Sequence, residues 1–278
     1  MNRILAAFDG LKFSNSTLDY AISLALQTHA QIVGVFLEDP TNHSYRIYDL
    51  VTEEGNPDAK RQKLDELDQQ KRDAAVASLL SLCKETGVPH AIHRDRDVAI
   101  QDLLRESIYA DLLVIGRNEM MPAYTDETPS DFIRDLLPDV QCPVLLTPPE
   151  YQPIDRIVML YDGAPSSVYA IKMLRYTLPA GNKYPVEVIT VDGGEENKLP
   201  GEPLVKEFMN CHFPEAAYTL LQGDPENEIV RYLKQGKGHP LVVLGAYRRG
   251  RVSRWFKPSM ADVLMKNLSL PLFVAHNR

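Results

Sequence analysis

The chain contains itself twice, and that constrains its fold more than any other feature. "RILAAFDGLKFSNSTLDYA" from Arg3 and "RIVMLYDGAPSSVYAIKML" from Arg156 align without a gap at an offset of 153. This register sets Asp9-Gly10 on Asp162-Gly163 and Ser14 on Ser167. A second block, "RDRDVAIQDLLRESIYADLLVIG" from Arg94, matches "GDPENEIVRYLKQGKGHPLVVLG" from Gly223 at an offset of 129. It sets Gly116 on Gly245, Pro129 on Pro258 and Ser130 on Ser259. The two offsets differ by 24, so the first half carries that many extra residues, within "EDPTNHSYRIYDLVTEEGNPDAKRQKLDELDQQK". Each half closes on a Pro and an apolar run, "PVLLTP" and "PLFVAH". The Pro-containing "PPEYQP" reads as the linker, dividing the chain into residues 1–149 and 150–278.

Within each half, apolar runs of strand length alternate with helical patterns. The first half offers Ile4–Phe8, Ile32–Leu37, Val88–His93, Leu112–Ile115 and Val144–Thr147, separated by amphipathic stretches such as "NSTLDYAISLALQ" and "DAAVASLLSLCKE". Continuous apolar strands joined by helices imply an α/β fold with a parallel sheet covered on both faces. In such sheets a ligand sits beyond the carboxyl ends of the strands, where strand order reverses. The charged stretch "DAKRQKLDELDQQKRDAA" is most simply a solvated helix face.

Charge narrows the function. The net charge is -8, yet residues 1–150 hold 14 Lys/Arg against 25 Asp/Glu, while residues 151–278 hold 16 against 13. An acidic front half argues against a nucleic-acid partner, which needs a basic footprint. No apolar run approaches the roughly eighteen residues of a membrane span, so no membrane partner is expected. Three widely spaced cysteines, Cys83, Cys142 and Cys211, point to a reducing compartment and a cytoplasmic location. The basic balance of the second half concentrates in "LGAYRRGRVSRWFKPS", with Arg248, Arg249, Arg251, Arg254 and Lys257 in one loop.

These features together resemble the universal stress protein family in its tandem form. The carriers are an Asp-Gly ending the first strand, a Ser four residues after that Gly, and a fourth strand ending in Gly with a loop to Ser, each present twice. The resemblance implies a Rossmann-like, doubly wound parallel five-stranded sheet of order 3-2-1-4-5 in each half. It also implies an internal pseudo-dimer of the halves about a pseudo-twofold axis, with Val144–Thr147 and Leu272–His276 as pairing edges, and leaves a further homo-oligomer open. Nucleotide-binding members carry G-x2-G-x9-G-[S/T] after the fourth strand. Its glycines let backbone N–H groups approach phosphates. Here the first glycine falls on Gly245 and Gly116 and the hydroxyl on Ser259 and Ser130. Arg248 and Glu119 stand at the second glycine position, Pro258 and Pro129 at the third. Pro removes a donor and cannot take positive φ, so neither half has the ordinary phosphate cradle.

The resemblance makes Asp162, Gly163, Val191, Gly245, Arg248 and Ser259 the candidates for ATP or another phosphate ligand in the second half. Asp9, Gly116 and Ser130 are their vestigial counterparts in the first. Each also has a plain structural reading: the aspartates turn the chain, the glycines end strands, and the serines cap helices. Arg117 is expected to face Glu119, Asp126 and Glu127, a loop that repels phosphate. His90 and His93 lie three apart on a strand and so face opposite sides, against a shared metal. Ser14 and Ser167 have no recognisable His-plus-acid pattern, so no catalytic residue is expected. The leading expectation is a non-catalytic stress-response protein with a degenerate nucleotide crevice. An ATP-binding protein hydrolysing slowly through its second half, and a purely structural or interaction module, stay open as alternatives.

Overall fold

In a computed structural model, residues 1–38, 43–45, 57–95, 98–119, 128–178, 183–192, 198–245 and 259–276 are described. The first half runs β1 (Arg3–Asp9), α1 (Asn15–Thr28), β2 (Gln31–Leu37), α2 (Pro57–Thr86), β3 (His90–Asp95), α3 (Ala99–Ser107), β4 (Leu112–Gly116), α4 (Asp131–Leu136) and β5 (Val144–Thr147). The second runs β6 (Arg156–Leu160), α5 (Pro165–Thr177), β7 (Val186–Asp192), α6 (Glu202–His212), β8 (Ala217–Gln222), α7 (Pro225–Gln235), β9 (Pro240–Gly245), α8 (Met260–Asn267) and β10 (Leu272–Ala275). All five strands expected in the first half are present.

The strands order as β3-β2-β1-β4-β5-β10-β9-β6-β7-β8, which reads alike from either edge. Within each half neighbours are parallel and follow the expected 3-2-1-4-5 order. The closing strands pair antiparallel, with Leu272 opposite Leu146 and Val274 opposite Val144. The halves, each a five-stranded sheet, therefore meet along the expected pairing edges and form one ten-stranded sheet. Hydrogen bonding between two closing edges leaves no gap at which to divide them. It also hides the exposed edge that each half would otherwise present.

Side chains alternate across the strands. Ile4, Ala6 and Phe8 join one apolar cluster with α1, α2, α5 and α6, while Leu5 and Ala7 join the other with α3, α4, α7 and α8. Two covered faces explain why the strands read as unbroken apolar runs. Fully buried side chains such as Phe8 and Phe273 each contribute about 1.5–3 kcal/mol relative to exposure. The charged "DAKRQKLDELDQQKRDAA" lies within α2, a 30-residue helix carrying pairs such as Arg61–Asp65 and Lys71–Asp68. Among the described residues no helix is long and apolar enough to cross a membrane.

Candidate functional site

The carboxyl ends of β1 and β4 frame a crevice of about 270 Å3, lined by Asp9, Lys12, Ser14, Gly116, Glu119 and Thr147 among others. Local sequence sets its shape. After β1 the stretch "GLKFS" stays irregular until Ser14, whose hydroxyl accepts the Thr17 N–H at 3.2 Å and caps α1. The Thr17 hydroxyl links onward to Ser14 at 2.9 Å and to Thr147 at 2.8 Å. A loop in place of a first helical turn leaves open space beneath it.

Glu119 enters that space. Its side chain is buried, and its carboxylate accepts the backbone N–H of Asp9. A Cβ added at Gly116 would lie 2.6 Å from Glu119 Oε2, so the glycine clears room for the carboxyl. Burial pushes the Glu119 carboxyl up to about 8, reinforced by the Asp9 charge and opposed by the Asp9 N–H, the Gly116 N–H and Lys12. At neutral pH the acid form prevails. Asp9 is also buried, and its Oδ1 accepts the Leu11 N–H at 2.9 Å, the chain-turning role open to it from sequence. Ser130 caps α4 by accepting the Ile133 N–H at 3.3 Å, and donates to the Glu119 carbonyl at 2.7 Å. Asp9, Gly116 and Ser130 are thus brought together, but around a side chain of the protein itself.

Arg117 behaves differently from the sequence expectation. Rather than facing Glu119, it reaches into the second half, where Nη1 donates to the carbonyls of Met265 at 2.9 Å and of Leu268. These carbonyls close the C-terminal end of α8, which a cation suits. Burial lowers the Arg117 pKa. Asp126 and Glu127, its other expected neighbours, lie outside the described residues.

The second half closes the equivalent place by another route. Pro165 stands where the first half has Lys12, and α5 starts there, one turn earlier in the repeat than α1. Proline at N1 is pre-organised for a helix. The early turn lays backbone on β9: a Cβ at Gly245 would fall 2.3 Å from the Ser166 carbonyl carbon and 2.7 Å from the Ser167 nitrogen. Asp162 is exposed, and its Oδ1 accepts the Ala164 N–H at 2.9 Å. Gly163 takes φ 77 beside Pro200, and Val191 is half-buried near the end of β7. The Ser259 N–H donates to Asp262 at 3.2 Å, the return bond of a capping box. Arg248 and the rest of the arginine loop, residues 246–258, lie outside the described residues. His90 and His93 diverge as expected, His90 toward the Val88 carbonyl and His93 toward Glu106 at 2.7 Å.

No family model matches the chain. A universal stress protein of Synechocystis is 20% identical over 291 aligned residues, covering 98% of this chain and 99% of that protein. The crystal structure of a universal stress protein from Archaeoglobus fulgidus covers 99% of this chain and 98% of its own, with a TM-score of 0.65 at 14% identity. The chain carries the universal stress protein fold twice. A functionally unknown protein from Pseudomonas aeruginosa matches over 99% of this chain and 92% of its own, with a TM-score of 0.64 at 14% identity. Within the tandem universal stress protein fold, sequence reasoning missed Glu119 as the occupant of a crevice. The signal was present, because Glu119 stands at a motif glycine position, where any side chain must enter the cleared space. Thr17, Thr147 and Lys12 were missed for want of any motif.

Proposed function

We propose that this is a non-catalytic protein of the universal stress protein type, using degenerate nucleotide crevices to sense or to bind a partner. The observation that supports it is Glu119, whose carboxyl lies buried against Gly116 and is bonded to the Asp9 N–H. A carboxyl in that place competes with a nucleotide for both space and donors. The serines offer little as nucleophiles: Ser130 donates to the Glu119 carbonyl and Ser167 to the Ala164 carbonyl, each in its own turn. A phosphate ligand, where one binds, is taken by the second half. There the repeat puts Arg248 at the position of Glu119, replacing an acid with a charge that attracts the ligand.

Calorimetric titration of the full chain with ATP and Mg2+ tests this reading, at low and high salt. The expected outcome is no steady hydrolysis, and any binding lost in high salt and in Arg248→Ala. Glu119→Gly is expected to add a binding event by emptying the first crevice. Turnover of about 1 s⁻¹ or faster, or tight binding indifferent to salt, Arg248→Ala and Glu119→Gly, overturns it.

A further inference from the structure

On the outer side of the second half, α5 and α6 leave a groove of about 580 Å3 between them. It reaches Gly163 beyond the end of β6 and is lined by Tyr161, Val168, Tyr169, Lys172, Leu204 and Phe208 among others. The α5 contributors fall at positions 165, 168, 169 and 172, and those of α6 at 201, 204, 205 and 208. Each set is one helical stripe. Tyr161 and Val205 of this lining are buried with the core, and Val168, Tyr169 and Phe208 pack partly buried against it. Leu204 is 75% exposed, so an apolar side chain stands in water at the groove mouth.

The repeat supplies an internal control. Pro165, Val168, Tyr169 and Lys172 correspond to Lys12, Asn15, Ser16 and Asp19 of the first half, where Lys12 precedes α1 and Ser16 is buried. Val168 and Lys172 thus stand where the first half has the polar Asn15 and the acidic Asp19 on its equivalent helix. An open groove with largely apolar walls and one cation at its side has the make-up of a ligand site. Its volume lies in the range of small-molecule pockets, about 300–1,000 Å3. The Tyr161 hydroxyl is already committed, donating to the Pro200 carbonyl at 2.8 Å. Among the described residues Lys172 is the one charged side chain lining the groove, and it has no ion-pair partner there. The corresponding residue in the first half, Asp19, has the opposite sign.

We propose that this groove binds a small monoanionic amphiphile, an aromatic or short-chain carboxylate, with its body on Val168, Leu204 and Phe208 and its charge on Lys172. Apolar walls take up the body without polar partners, and the single cation fixes the orientation of the acid. The groove shares Gly163 with the second-half nucleotide candidates but none of Asp162, Val191, Gly245 and Ser259.

Calorimetric titration of the full chain with 1-naphthaleneacetate and with octanoate tests it, against their neutral amides. Each acid is expected to bind about tenfold more tightly than its amide, the scale of one charge-assisted hydrogen bond. Lys172→Gln is expected to erase that difference while leaving amide affinity in place. Leu204→Asp is expected to weaken amides by the loss of apolar contact and acids further by the added like charge, with the melting temperature of either variant unchanged because both positions are exposed. Failure of both acids to bind at millimolar concentration overturns the proposal, as do equal affinities for acid and amide. Binding indifferent to Leu204→Asp overturns it too. Sedimentation of the unaltered protein covers the remaining case: a dimer that Leu204→Asp dissociates makes the groove an interface between copies and refutes the ligand.

Discussion

Replacing Glu119 with Gln should make the protein more stable than the unaltered chain at alkaline pH, and the gap should widen with pH. Gln has the shape of the neutral acid and keeps a carbonyl oxygen for the Asp9 N–H, but it never ionises. In the folded chain burial raises the Glu119 carboxyl from an ordinary 4.5 to about 8. Between those values the folded state holds a proton that the unfolded state has released, so folding stability falls as pH rises. The slope is about 1.4 kcal/mol per pH unit, and over the whole window the loss reaches a few kcal/mol, on the order of 4–5. Above pH 8 both states are ionised and the loss stops growing. Urea denaturation of both proteins at pH 5, 6, 7, 8 and 9 measures this directly. Histidines and other groups common to both proteins cancel in the difference. Cys83 and Cys142, pushed by burial to about 11 and about 12, remain neutral throughout this range. The expected difference rises from pH 5 to 8 and then levels. A difference that stays flat from pH 5 to 9 would falsify the placement of this carboxyl inside the crevice.

Gly245→Ala should cost about 1–3 kcal/mol, because its Cβ would meet the backbone of Ser166 and Ser167 and α5 must move. Gly116→Ala meets only the end of the Glu119 side chain and should cost less, a contrast that thermal melts of the two variants will read. Arg117→Ala strips a donor from the Met265 and Leu268 carbonyls and should destabilise by about 1–3 kcal/mol. Equal midpoints for Arg117→Ala and the unaltered chain in urea would show that this tie between the halves carries nothing. A thiol reagent should modify Cys211 rapidly in the folded protein and reach Cys83 and Cys142 only on unfolding, since both are buried. Rapid loss of all three thiols under native conditions would contradict this packing.

Much of this molecule was written in its sequence, because the determining forces were local or periodic. Five apolar runs in a repeating order dictate a covered parallel sheet, since only a strand buried on both faces can be apolar throughout. The paired Asp-Gly and Gly-to-Ser spacings pointed to the turn after β1 and the cap of α4 that border the crevice of the first half, because chain turns and helix caps are set by residues a few positions apart. Three outcomes depended on contacts between distant segments. Hydrogen bonds between β5 and β10 made one sheet of two along the edges that the family resemblance implied, since a strand edge does not record in its own residues which edge it will meet. The burial of Glu119 needed the end of β1, 110 residues away, to supply a donor for its carboxyl. Arg117 reached the end of α8 in place of Glu119, because helix-end carbonyls stood within its reach only once the halves had joined. Sequence names the groups that must be satisfied, and the folded chain decides which partner satisfies each, because that choice turns on distances through space.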